Sequence, residues 1–377
     1  MNGFPTWRLP ELCFISEKCR LPESLSRFYE CDIVRTDILR AKTDMGPISR
    51  PLEIGILIYP EAQLAAVHGL TDIFLVANRF AAVRRLPAEP ALRVSHWRQI
   101  ANGKAMECVF DTIPGPYNRP AVLIVPPSLS KPISREQAAP FAVWLTDWHD
   151  DGLILCSVCA GAFVLAETGL LAGRSATTHW TYLDELMRRF PDIRVDGDKL
   201  IIEDGDIITA GGVMAWTDLG MKLVDRLLGS TIMLETARFL LVDPPGREQR
   251  YYSSFSPNFH HGDRPILNVQ HWLQSNGARD ANLHTMVARA GLEERTFLRR
   301  FQKATGLRPT EYCQQLRVGR AREMLEFTNH AVDQIAFSIG YEDAGAFRKV
   351  FNKVMGISPS AYRKRFGLTA RELHGKF

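Results

Sequence analysis

The sequence predicts an α/β domain built on a parallel sheet covered by helices on both faces, followed by an all-helical domain. Three observations carry this expectation. Between residues 52 and 243, short apolar segments alternate with helical patterns. The central apolar segments are hydrophobic at every position rather than every second one, as strands buried on both faces are. From Pro265 onward the pattern is helical throughout, with short loops.

In chain order, LEIGILIYP from residue 52 reads as a strand and Leu64 to Asn78 as a helix. ALRVSHW (91–97) and AVLIVPPS (121–128) are further strands, and FAVWLTDWHDD (141–151) is an amphipathic helix. The strand LILCS runs into a helix from Ala160, and another helix spans His179 to Phe190. DKLIIEDGDIITAGG reads as two strands joined by an Asp-Gly turn, with MAWTDLGMKLVDRLLG as the next helix. At Asp243-Pro-Pro-Gly the pattern stops. The segment 244–264 is polar and Pro-broken, as a linker should be. The expected organisation is a poorly ordered extension over 1–50, the α/β domain over 52–243, the linker over 244–264, the helical domain over 265–366 and a tail over 367–377.

Composition bounds the function classes. The start, MNGFPTWRLPELCF, lacks the basic stretch and apolar core of a secretory signal. The longest apolar run, 153–166, is too short to span a bilayer. A cytoplasmic protein without a membrane partner is therefore expected. The seven cysteines are scattered, and only Cys156 and Cys159 form a CxxC. Free thiols, no zinc site and no cofactor are the expectation. Net charge is +4, yet residues 281–367 hold 15 Lys/Arg against 8 Asp/Glu, or +7, which leaves −3 for the rest. A basic C-terminal module on a mildly acidic body points to a nucleic-acid partner.

Two segments of that module repeat one pattern. LHTMVARAGLEERTFLRRFQK (283–303) breaks at Gly291, and VDQIAFSIGYEDAGAFRKVFNK (332–353) breaks at Gly340. Each is a helix, a Gly turn and a second helix with basic residues on its outer face. Such a helix fits the major groove, where all four base pairs are distinguishable. Two units joined by the long helix 309–327 predict two readers in adjacent major grooves of double-stranded DNA. Phe297, Phe301, Phe347 and Phe351, at i, i+4 spacing, are expected in the core.

In the α/β domain, CSVCAGAF (156–163) is a buried strand ending in a sharp bend at Cys159 and a following helix. Such an elbow presents a nucleophile at the tip of a sheet and aims backbone N–H groups at it.

IAFSIGY(x)5F(x)3F followed by GISPSAYRKRF closely resembles the AraC/XylS-type DNA-binding domain, over about 265–366. This resemblance implies a double helix-turn-helix whose outward positions are Arg295, Leu298 and Arg299, then Ala344, Gly345, Arg348 and Lys349. The small Ala344-Gly345 pair implies that the second unit rests more on phosphates than on bases. VCAGAFVLAETGLLAGRSATTHW resembles the flavodoxin-like, class I glutamine amidotransferase-like fold of PfpI-type proteins. More closely, the chain resembles the GlxA subfamily of AraC-type regulators, over roughly 52–366.

By this resemblance Cys159 is the elbow residue and His179 the position that faces it. Related regulators show Leu-Asp at 65–66, where this chain has Ala65-Ala66, and Ser157 replaces a glycine often found before the nucleophile. Without an acid to orient the base, the expected role is a binding pocket rather than catalysis. Its lining would be Cys159, Ala160, Gly161, His179, Trp180, Gly211 and Gly212, with Trp216 as a second aromatic. The amides at 160–161 and 211–212 would hold an anion, and the indoles a cationic head group. The resemblance implies a small amino-acid-like or quaternary-amine inducer, a homodimer joined through 230–243, and activation through RNA polymerase. The alternative is an active cysteine amidase or glyoxalase fused to a DNA-binding domain, with Glu61 or Asp72 as its acid.

Overall fold

A computed structural model describes residues 51–84, 90–100, 105–115, 119–253, 255 and 257–368. The extension expected over 1–50, and the tail beyond 368, lie outside them.

The first half is a three-layer α/β unit. Strands β1 (Leu52–Ile58), β2 (Leu92–Gln99), β3 (Met106–Asp111), β4 (Val122–Val125) and β5 (Ile154–Val158) form one sheet with β8 (Ile201–Asp204) and β9 (Ile207–Ala210). The spatial order is β3-β2-β1-β4-β5-β9-β8. The five central strands are parallel, and both edge strands are antiparallel to their neighbours. Strand β3 has no counterpart in the sequence reading. MECVFD is half exposed, and a bulge at His96/Trp97 breaks its register with β2, which blurs the alternation a strand search relies on.

Side chains alternate between two apolar layers. Ile54, Ile56, Val94, Ile124, Cys156, Val158 and Ile208 face helix α1 (Leu64–Arg84) and the later helices α5 (Trp216–Leu228) and α6 (Ser230–Leu240). Leu57, Leu123, Val125 and Leu155 face α2 (Arg135–Asp150) and the short α3 (Gly161–Ala166). Helix α2 starts before its expected position: Ser134 and Gln137 form a capping box, and Pro140 is accommodated inside the helix. Among the described residues only α1 is long and apolar enough to cross a membrane, and it lies against the sheet with Ala66, Val67, Leu70 and Phe74 fully buried.

A two-stranded pair, β6 (Ser175–Ala176) and β7 (Arg194–Val195), flanks α4 (Leu183–Arg189). The second half is helical: α7 (Arg264–Asn276), α8 (Leu283–Ala290), α9 (Glu294–Thr305), α10 (Pro309–Phe327), α11 (Val332–Ser338), α12 (Ala344–Met355) and α13 (Pro359–Phe366). It holds two separate apolar clusters. One surrounds Phe297 and Phe301, and the other surrounds Phe347 and Phe351.

The segment 244–264, whose polar composition reads as a linker, is held against both domains at several of its described residues. Arg247 forks onto Asp218 of α5, with Nε donating to Oδ1 at 2.9 Å. Tyr251 is buried in the Phe347/Phe351 cluster. Phe255 packs edge-on against Tyr312 at 5.1 Å between ring centroids. A fragment that begins at 265 therefore loses two core aromatics. One that begins at 247 is expected to melt at a clearly higher temperature, since deleting a buried aromatic side chain costs about 3–5 kcal/mol. Thermal denaturation of the two fragments checks this.

Candidate functional site

Strand β1 lies between β2 and β4, so the chain winds outward in opposite directions from the β1/β4 boundary. In open sheets of this class, ligands bind outside the carboxyl ends of the strands at such a switch point. Tyr59, Gln63 and Pro126 stand there, with Cys159 just beyond the end of the neighbouring β5. Tyr59 donates its hydroxyl to Pro126 O at 2.8 Å, and the Gln63 amide donates to Pro127 O at 2.7 Å.

Cys159 occupies the bend with φ 53°, a left-handed conformation that a non-glycine side chain adopts only when its surroundings impose it. Its amide donates to Ala210 O at 2.7 Å, and its carbonyl accepts from Thr178 Oγ1 at 2.7 Å and the Ala162 amide at 3.1 Å. The next residues turn sharply because Gly161 is packed on β4. A Cβ there would lie 2.6 Å from Val125 O and 2.7 Å from Pro126 O. Those are backbone atoms that cannot step aside, so Gly161→Ala is expected to destabilise the domain by about 1–3 kcal/mol, read by denaturant titration.

The chemistry of the elbow is muted. The Cys159 side chain is fully buried in the apolar cluster that also holds Ala66 and Ala160. Burial pushes its thiol up to about 12, an effect that the hydrogen bond from the Ala160 amide only partly offsets. Position 66, where a carboxylate would orient a base, holds a fully buried alanine. Of the other candidate acids, Glu61 accepts from Ser130 Oγ at 3.0 Å, and Asp72 lies on the exposed face of α1.

His179 is not hydrogen-bonded to the thiol. Its Nδ1 accepts from the Thr181 amide at 3.2 Å and lies 2.7 Å from the Thr181 hydroxyl, capping the 3₁₀ turn Trp180–Tyr182. That acceptor role places the ring proton on Nε2. Burial holds its pKa below the usual histidine value. The ring stacks on Trp180 at 5.6 Å and touches Tyr182 at 5.8 Å, so the three side chains form an aromatic wall.

Of the expected contributors, the Gly211 amide and the Trp216 ring are engaged elsewhere. The Gly211 amide is spent on Leu200 O at 2.7 Å, and Gly212 turns the chain with φ 84° ahead of α5. Gly211 lacks a side chain because a Cβ would meet the Gln249 amide at 2.7 Å. Trp216 is a core residue: its ring crosses Gly69, where a Cβ would be 2.4 Å away. Ala160 and Gly161 stand at the elbow as expected, though the Ala160 amide already points at the sulfur. Tyr59 and Tyr182 were missed. Each phenol is raised first by burial and then by the Cys159 thiol.

In the helical half, α8–α9 and α11–α12 form the two helix-turn-helix units. Gly291 and Gly340 take positive φ at the breaks, and Asp343 caps α12 through the Gly345 and Ala346 amides. Phe297, Phe301, Phe347 and Phe351 are fully buried. Arg295, Leu298, Arg299, Arg348 and Lys349 are exposed on the outer faces, while Ala344 and Gly345 are half buried at the start of α12. Arg348 is held by Asp333 of α11, and Arg300, one position from the outer face, is forked onto Asp263 at 2.8 Å. Helix α10, about 28 Å long at 1.5 Å per residue, joins the units.

Residues 117–226 match the DJ-1/PfpI family, and residues 286–365 match a helix-turn-helix domain family. The transcriptional regulator GlxA of Rhizobium meliloti (strain 1021) is 26% identical over 238 residues, covering 59% of this chain and 72% of that one. The regulator GbdR of Pseudomonas aeruginosa is 24% identical over 315 residues, covering 83% and 84%. The regulator ArgR of Pseudomonas aeruginosa is 30% identical over 230 residues, covering 59% and 64%.

Proposed function

We propose, from the premise that the chain is an AraC-family transcriptional regulator carrying a DJ-1/PfpI domain, that this domain binds a small metabolite without turning it over. The observation that carries this reading is the state of Cys159: fully buried, held as a thiol, and without a hydrogen-bonded imidazole or carboxylate. A nucleophilic cysteine needs thiolate character and a positioned base. The aromatic wall of His179, Trp180 and Tyr182 suits a cationic head group and favours an amino-acid-like or quaternary-amine ligand.

Alkylation tests the thiol directly. A rise from 9 to about 12 lowers the thiolate fraction at pH 8 on the order of a thousandfold, so iodoacetamide should leave native Cys159 unmodified while labelling it in the urea-unfolded chain. Reactivity should appear only as pH approaches 12. Rapid modification at pH 8 would contradict the reading.

The protein binds double-stranded DNA through Arg295, Leu298 and Arg299 in one groove, and through Arg348 and Lys349 with the Ala344-Gly345 backbone in the next. None of the ion pairs among the described residues involves Arg295, Arg299 or Lys349, which leaves them available. Arg299→Ala should weaken specific binding by about 1–3 kcal/mol if the guanidinium reads a guanine. An equal loss on operator and random DNA would make it a phosphate contact. The regulator acts as a homodimer that activates RNA polymerase. Leu234 and Phe239, exposed on α6, support an interface there; in analytical ultracentrifugation the wild type should sediment as a dimer and Phe239→Glu as a monomer.

A further inference from the structure

The side chain of Gln249 lies outside both the elbow and the reading helices, yet it is among the most enclosed polar groups in the protein, 2% exposed. Its Nε2 donates to Thr178 O at 2.9 Å and to Thr177 Oγ1 at 3.3 Å, and its Oε1 accepts from the Trp180 amide at 3.1 Å. It rests on the bare backbone of Gly211. Thr178 in turn donates its hydroxyl to Cys159 O. One amide thus holds the backbone of the loop that carries His179 and Trp180, one hydrogen bond removed from the elbow.

The same short stretch is fixed at its other end to the second helix-turn-helix unit. The Tyr252 amide donates to Gln249 O at 2.9 Å, closing a turn. Tyr251 is buried with Phe347, Phe351 and Tyr362. Arg365 of α13 lies over both tyrosine rings, at 5.1 and 5.4 Å, and donates to Tyr252 Oη at 2.6 Å. Upstream, the Gln249 amide donates to Asp198 O at 3.0 Å, and Arg247 is forked onto Asp218.

We propose that Gln249 is the positioning residue that couples the aromatic wall of the ligand pocket to the second DNA-reading unit, with 247–252 as the coupling strap. A ligand that shifts the Thr178–Trp180 backbone removes the seat of Gln249, and the turn to Tyr251-Tyr252 passes that loss into the α11–α13 core. The inference rests on the regulator reading, and coupling of this kind is reciprocal: what the pocket does to DNA affinity, DNA must do to the pocket loop.

That reciprocity allows a test that needs no inducer. Hydrogen–deuterium exchange of residues 174–182 is measured in the full chain with and without a 30-base-pair random duplex at low salt. In the wild type, DNA should change exchange at the Trp180 and Thr181 amides by about fivefold or more. In Gln249→Ala, compared at duplex concentrations that saturate each protein, the DNA-induced change should vanish. Gln249→Glu, which fills the same space and accepts from Trp180 but cannot donate to Thr178, should also lose the change, and it covers the case in which the alanine variant does not fold. An unresponsive loop in the wild type, or the same response in both variants, overturns the proposal. Failure to find any metabolite that binds would overturn the sensing role instead and leave this result standing.

Discussion

Phe351→Ala is expected to abolish DNA binding on every sequence while leaving the α/β unit folded. Phe351 is fully buried at the centre of the second helical cluster, against Phe347 and Tyr362 with ring centroids 5.6 Å away in each case. Removing a buried phenylalanine costs about 3–5 kcal/mol, a large share of what a small helical unit has to spare. Two observables separate this from loss of a contact. The calorimetric melt should split, with the helical transition moved down, and affinity should fall equally for operator and random DNA. Retained non-specific binding at low salt would show that the first unit alone supplies the electrostatic grip.

Cys159→Trp is expected to silence transcription from the regulated promoter, whereas Cys159→Ser should leave output within about twofold of the wild type. Serine keeps the volume and the backbone at φ 53°. Tryptophan has nowhere to go, because the side chain it replaces is fully enclosed in the apolar cluster. Full burial also means that tryptophan does more than fill a pocket. It should overpack the elbow and lower the melting temperature of the α/β unit, by roughly 1–3 kcal/mol of stability or more. A catalytic cysteine predicts that serine is as inactive as tryptophan, since a hydroxyl without an engaged base is a poor nucleophile. Reporter output and melting temperature measured on both variants separate the cases.

Much of this was legible in the chain itself. The strands buried on both faces, the elbow at Cys159 and the two helix–Gly–helix units are written in local pattern: runs of apolar residues, a small-residue bend, and Gly at helix ends. The core phenylalanines follow from their i, i+4 spacing. Residues whose role is set by a distant partner were not legible. Gly211-Gly212 looks like an anion-binding turn, but its geometry exists to admit Gln249 and to donate to Leu200. Trp216 looks like a ring for a cation, but Gly69 opens a slot in α1 that buries it. The strap from Arg247 to Phe255 is polar and proline-flanked, and nothing in its own order shows that Asp218, Gly211 and Arg365 await it. Tyr59 and Tyr182 are ordinary residues of a strand end and a 3₁₀ turn until the fold turns their hydroxyls onto Pro126 O and Ser130 O.

Binding of a metabolite by the α/β unit without turnover can be measured directly. The direct measurement is a thermal-shift screen of the purified protein against amino acids, betaines and carnitine-like compounds, followed by quantification of each hit after prolonged incubation. A ligand that binds only the native state raises its melting temperature. At least one such compound is expected, recovered in full without released ammonia or lactate. A compound that is consumed by the wild type and spared by Cys159→Ser would contradict binding without turnover.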